Sequence, residues 1–194
     1  AEDDEGGADT GDVVGGDVVI GIAASGRTPY VAGAFRVARS VGAPTALVTS
    51  NPNAELAADA DYLIVVPTGP EAITGSTRLK AGTAQKLVLN TFSTALMVRL
   101  GRTYRNLMVD LQATNAKLRG RMLAILMEAA DVDEAAAAQA LALCADLKTA
   151  LLYLLLDRRL DPVATAALLA ANDGRIRQAL SAVPGPSRHV LQQP

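Results

Sequence analysis

Three short apolar runs rich in β-branched residues, each followed by a turn and then a helical pattern, constrain this chain more than any other feature. They are DVVIGIA (17–23), PTALVT (44–49) and YLIVV (62–66). Continuous apolarity over so few residues marks strands buried on both faces. Strands alternating with helices predict right-handed βαβ crossovers and a parallel sheet covered on both sides. In such a sheet a ligand sits at the carboxyl ends of the strands. The segments that leave those ends are therefore where chemistry is expected.

After the first run comes Ala24-Ser25-Gly26-Arg27-Thr28-Pro29. Thr28 as a cap and Pro29 at the first helical position predict a helix to about residue 41, with Val31, Ala34, Phe35 and Ala38 inward and a stop at Gly42. The second run leads into the turn SNPN (50–53) and a short helix near 54–58. The third leads into GPEAITGSTRLKAGTAQK (69–86), a turn and a hydroxyl-rich loop that open a long helix over 77–100. Ala84, Leu87, Val88, Thr91, Ala95 and Val98 fall at helical spacing there. A further helix is predicted over 105–129, burying Leu107, Leu111, Leu118, Met122, Ile125 and Leu126. Helices this long are more than one sheet face needs, which predicts packing against another subunit or the C-terminal part. From Asp131 the texture changes to short alanine-rich helices. Asp131 with Glu134 reads as a capping box before 135–145, 147–157 follows, Asp161 and Pro162 open a third segment, and 175–182 forms the last.

Half of the 194 residues are hydrophobic and a fifth are charged, enough for one sizeable domain with a small appendage. The net charge is −2, with no tryptophan, four tyrosines and two phenylalanines. That leaves neither a basic field nor a stacking surface for nucleic acid, so a small-molecule partner is expected. The apolar run at 150–156 is far below the ~18 residues needed to span a bilayer, and no signal-peptide pattern opens the sequence. The expectation is a cytoplasmic protein with no membrane partner. Cys144, the single cysteine, cannot form an internal disulfide and fits a reducing compartment. His189, the single histidine, lies in a tail (183–194) read as disordered, so a histidine base or a metal site is not expected. Residues 1–16 are acidic and glycine-rich, a solvated segment by composition. The sequence opens at Ala1 with no methionine and its first strand begins only near residue 17, which reads as a fragment.

Two hydroxyl-rich loops each follow a strand and precede a helix. The first offers Ser25, the Gly26 backbone, Arg27 and Thr28; the second offers Ser76 and Thr77, with Lys80 one turn on. Hydroxyls, free N–H groups and the positive end of a helix dipole suit a phosphate and the hydroxyls of a sugar. Neither GxxxxGK[ST] nor GxGxxG occurs, so a sugar phosphate is favoured over a nucleotide. Two roles are open for Glu71: facing the sugar, or holding the loop through backbone hydrogen bonds. Ser76 or Thr77 alone reads as a helix cap, and Arg27 as either a phosphate contact or a surface side chain.

The stretches VVIGIAASGRTPYVAGA (18–34), GPEAITGSTRLKAGTAQKLVLN (69–90) and NLMVDLQATNAKL (106–118) resemble the N-acetylmuramic acid 6-phosphate etherases of the SIS (sugar isomerase) superfamily. The resemblance implies an α/β fold: an SIS-type parallel sheet, partial here and flanked by helices, followed by a small C-terminal helical module. It implies an acidic linker at 1–16, the C-terminal part of the sugar-phosphate domain at 17–129 and a ubiquitin-associated-like module at 130–182. It further implies a cytoplasmic homodimer without metal or other cofactor. The reaction implied is cleavage of the lactyl ether of N-acetylmuramic acid 6-phosphate to N-acetylglucosamine 6-phosphate and D-lactate, in cell-wall amino-sugar recycling. The substrate-binding residues are then Ser25, Gly26, Arg27, Thr28, Glu71, Ser76, Thr77 and Lys80. The opening Ala1-Glu2-Asp3-Asp4 matches the end of a family segment reading approximately EGAEDD, which maps Glu2 onto a catalytic glutamate. The family's N-terminal portion, with a first sugar-phosphate loop and another catalytic glutamate, has no counterpart in this sequence. Arg105 departs from the small residue usual there. A non-catalytic sugar-phosphate regulator of the same superfamily is the alternative function, and an aldose–ketose phosphate isomerase a third.

Overall fold

The computed structural model describes residues 3–4, 6–8 and 12–184. The chain divides into two compact units, Ala1–Ser93 and Thr94–Pro194.

The first unit is a three-stranded, all-parallel sheet in the order β1 (Val19–Ile22), β2 (Thr45–Thr49), β3 (Tyr62–Val65). This is the α/β architecture expected from the strand–helix alternation. Helix α1 (Pro29–Ser40) crosses from β1 to β2 and a short 3-10 turn, Glu55–Asp59, precedes β3. Val31 and Phe35 on α1 pack with Ala23, Leu47, Ala54 and Leu56. A Cβ on Gly21 would lie 2.4 Å from Val31 and 2.7 Å from Phe35, so the missing side chain in β1 is what lets α1 sit this close. The helix ends with Gly42 in the left-handed region and Ala43 N–H donating to the Ala38 carbonyl. Thr28 stands at the N-cap position in extended geometry, but its side chain makes no capping hydrogen bond, contrary to the expected cap.

β2 is buried throughout, as a central strand must be. β3 is joined to it by a polar clip: Asp61 Oδ2 accepts from the Thr45 backbone N–H (2.8 Å) and hydroxyl (2.9 Å), and Asp61 N–H donates to Thr45 Oγ1 (3.1 Å). These bonds, the Thr45 backbone N–H first, hold the Asp61 carboxyl below its ordinary range. The expected two-sided cover fails at β3, where Tyr62 is 63% and Leu63 46% exposed. Their Cβ atoms point to opposite faces, so no helix of this unit shields either side of that strand.

The predicted long helix appears as α2 (Lys80–Arg99), which runs from the first unit into the second. Ala81 is its one buried residue; Leu87 is 56% and Phe92 48% exposed. Its helical apolar spacing is real, but the surface is uncovered in this chain.

The second unit begins with a hairpin, β4 (Thr103–Tyr104) and β5 (Leu107–Met108), followed by α3 (Ala116–Ala130). This corrects the single helix expected over 105–129. Tyr104 pairs with Leu107 across a two-residue turn, and Asn115 Oδ1 accepts from Leu118 N–H to start the helix only there. The expected burial partly survives the change of element. Met122, Ile125 and Leu126 are buried, and Leu107 and Leu111 pack on the same core. Helices α4 (Glu134–Leu143), α5 (Leu147–Leu155), α6 (Pro162–Ala170) and α7 (Ile176–Ser181) complete the unit.

Each of α4, α5 and α6 opens on an aspartate that accepts a backbone N–H three residues on, from Asp133, Asp146 and Asp161, all at 2.8 Å. The capping aspartate of α4 is thus Asp133; Asp131 instead closes α3 with φ 53°. α5 is the centre of the core, with Leu147, Ala150, Leu151, Leu152 and Leu155 almost fully buried. Among the described residues no helix is long and apolar enough to cross a membrane.

Candidate functional site

Because all three strands run parallel, the loops after β1 and β3 leave the same edge of the sheet. β2 lies between them, so the two strand ends stand about 10 Å apart, two strand spacings. The Ser25–Thr28 loop follows β1 directly, whereas Thr74–Thr77 follows β3 only after eight further residues.

The first loop is rigidly seated. Gly26 has φ 69°, donates to the Ala23 carbonyl and accepts from Leu56 N–H at 3.0 Å. A Cβ at Gly26 would lie 2.2 Å from the Ala54 Cβ, so both its backbone angle and its neighbours exclude a side chain. Asn51 Nδ2 donates to the Ser25 carbonyl (2.9 Å), and Thr49 Oγ1 donates to the Ala24 carbonyl (3.2 Å). The loop after β2 thus buttresses the loop after β1. Ser25 and Arg27 are exposed, Thr28 is half-buried, and the Thr28 hydroxyl is not engaged in capping.

The second loop is closed by its own charges. Glu71 accepts from Lys80 N–H through Oε2 (2.9 Å) and from Ala81 N–H through Oε1 (3.1 Å). The carboxylate therefore caps the start of α2 from nine and ten residues upstream. Lys80 Nζ donates to the Pro70 carbonyl at 2.8 Å. Of the two roles open for Glu71 in the sequence, loop-holding is the one this geometry displays. Gly75 (φ 84°) turns the chain ahead of Ser76, which is half-buried, and Thr77, which is exposed. A shallow, open surface beside the first turns of α2 is formed by Thr68, Lys80 and Thr83 together with Leu79, Ala84 and Leu87. Sequence reading missed Thr68 and Thr83; the signal for Thr83 is its position three residues from Lys80 on one helical face.

The hydrogen bonds from Lys80 N–H and then Ala81 N–H hold the Glu71 carboxyl below its ordinary value of 4.5. A carboxyl depressed in the folded state contributes its stabilisation in full above the unfolded value and loses it as pH falls through the lower folded one. Acidification below pH 4.5 is therefore expected to loosen the first turn of α2, read as faster amide exchange at Lys80 and Ala81. Glu71→Gln should show that faster exchange already at neutral pH, and equal exchange in both proteins would refute the clamp.

Glu2, His189 and the expected disordered stretch from 185 onwards lie outside the described residues. Among the described residues no three His, Cys, Asp or Glu side chains are grouped to share a metal ion.

The sequence of the SIS domain matches residues 8–95. The chain is 55% identical over 166 residues to the N-acetylmuramic acid 6-phosphate etherase of Klebsiella aerogenes, covering 85% of this chain and 55% of that protein. It is 62% identical over 142 residues to the enzyme of that name from Thermobifida fusca (strain YX), covering 72% of this chain and 47% of the relative. For Geobacillus sp. (strain WCH70) the figures are 53% over 165 residues, 84% and 55%. The chain spans about half the length of the curated relatives it matches. Residues 8–95 thus match the SIS domain, and the chain resembles, over most of its own length, about half of the N-acetylmuramic acid 6-phosphate etherases.

Proposed function

We propose that this chain serves a carbon–oxygen lyase that cleaves the D-lactyl ether of N-acetylmuramic acid 6-phosphate, giving N-acetylglucosamine 6-phosphate and D-lactate in cell-wall amino-sugar recycling. The observation that carries this reading is 48–62% identity to proteins of that name over 142–166 residues. Both hydroxyl-rich loops follow strands of one parallel sheet, which supports it.

The sugar phosphate lies at the edge of that sheet. Ser25, the Gly26 backbone, Arg27 and Thr28 meet it from one side, and Ser76 and Thr77 from the other. Glu71 and Lys80 serve binding by holding the second loop in shape. In the open-chain sugar the C1 carbonyl acidifies the C2 proton, and a carboxylate removes it. The electron pair forms a C2–C3 double bond as the C3–O bond breaks, and lactate leaves with its oxygen protonated by an acid. Water then adds across the double bond, hydroxyl to C3 and proton to C2. Glu2 is the base or water activator. No cofactor is needed for these steps.

The protein acts in the cytoplasm, which the buried free thiol of Cys144 supports. It acts as a homodimer, for which the uncovered apolar side chains of α2 are the support. The deciding experiment is incubation of the intact protein with N-acetylmuramic acid 6-phosphate and assay of D-lactate. Stoichiometric D-lactate and N-acetylglucosamine 6-phosphate are expected. Tight binding of fructose phosphates with no lactate released would assign the regulator function instead.

A further inference from the structure

The second unit contains a cleft of about 490 Å³ into which four arginines converge: Arg99, Arg105, Arg175 and Arg177. Thr103 and Gln178 add neutral donors, and no carboxylate is among the described residues that line it. The chain as a whole is acidic, with a net charge of −2, so this is a local reversal of sign. Guanidiniums gathered in one hollow raise the local positive potential, which favours an anion there.

Two features show that the guanidiniums are placed rather than merely present. Arg105 occupies the first position of the two-residue turn between β4 and β5 with φ 54°, a conformation that favours glycine. The turn holds its guanidinium 5.5 Å from the ring centroid of Tyr104, which is buried. On the opposite wall, Gly101 has φ 68°, and a Cβ there would lie 2.8 Å from Arg175 Cγ. The glycine thus makes room for the Arg175 stem. Arg102, next in sequence, does not share the task, being paired with Asp110. Glu128 stands in an adjoining hollow with Arg105 and Arg177.

We propose that this cleft is a second anion site, distinct from the sheet-edge loops, that binds a small phosphorylated metabolite carrying at least two negative charges. Planar guanidinium forks from separate elements match the oxygens of a phosphate or diphosphate, and the cleft has the size of a small-molecule pocket. Recognition comes from the anionic group, so pyrophosphate is a sufficient probe.

The test is calorimetric titration of the full chain with sodium pyrophosphate at constant ionic strength. In the S76A/T77A background, where the sheet-edge loop no longer competes for the probe, R175Q/R177Q is expected to weaken binding by about tenfold or more. R105G separates the site from a folding effect: relief of the turn should raise the unfolding temperature while the affinity falls. Unchanged affinity in both R175Q/R177Q and R105G overturns the proposal, as does loss of all binding in S76A/T77A. Absence of any heat of binding at millimolar pyrophosphate overturns it as well.

Discussion

Glu2→Gln in the intact protein is expected to cut D-lactate release from N-acetylmuramic acid 6-phosphate by about 10²- to 10⁴-fold, the usual contribution of one general acid–base group. Glutamine keeps the shape and hydrogen-bonding reach of the side chain but cannot accept the C2 proton or activate water. The loss should fall on kcat, because the phosphate and sugar contacts proposed here belong to the two sheet-edge loops and not to residue 2. Sugar-phosphate affinity, measured by calorimetry, should stay within about threefold of the native value if binding and chemistry are separable in this way. Retained lactate release would remove Glu2 from the mechanism. Equal loss of binding and turnover would make it a binding residue.

A second large effect is expected at Gly26. Gly26→Val places a β-branched side chain at φ 69° and a Cβ 2.2 Å from that of Ala54. Backbone strain and overpacking together predict a destabilisation of roughly 2–6 kcal/mol, concentrated in the first unit. The neighbours cannot yield cheaply. Ala54 has no side chain beyond Cβ, and Leu56 N–H is bonded to the Gly26 carbonyl itself. Denaturant unfolding followed by amide exchange should show lost protection in β1, β2 and α1. Gly120→Ala supplies the contrast: Gly120 lies inside α3 with nothing within 4 Å of an added Cβ. That change is expected to stabilise by about 0.5–1 kcal/mol. Equal tolerance of both substitutions would show that the first loop is not locked as its contacts imply.

The features legible in the sequence are local ones. The three strands and α1 announce themselves through apolar runs and Pro29, because a strand buried by its neighbours must be apolar along its whole length. Asp146 and Asp161 sit directly before the helices they cap, so their bonds to Thr149 and Ala164 require no knowledge of the rest of the molecule. The β4–β5 hairpin was hidden for the complementary reason. Its strands are two residues each, too short for a period-2 pattern, and leucines at 107, 111 and 118 imitate a helical face. Asp131 misled because it lies two residues before the true cap, Asp133, and an aspartate in the left-handed region can equally well end a helix.

Local patterns along the chain are enough for the alternation of elements, the parallel sheet and two hydroxyl-rich loops that follow strands, since each follows from nearest-neighbour chemistry. Tertiary structure alone decided which side chains those loops leave outward. Glu71 reaches the backbone of Lys80 and Ala81 across an intervening turn, and no spacing rule encodes that path. It alone also brought Arg99 and Arg105 against Arg175 and Arg177. Long-range proximity of like charges has no sequence signature, because it arises from how the helical core around α5 folds back on the hairpin, not from any preference of the arginines themselves.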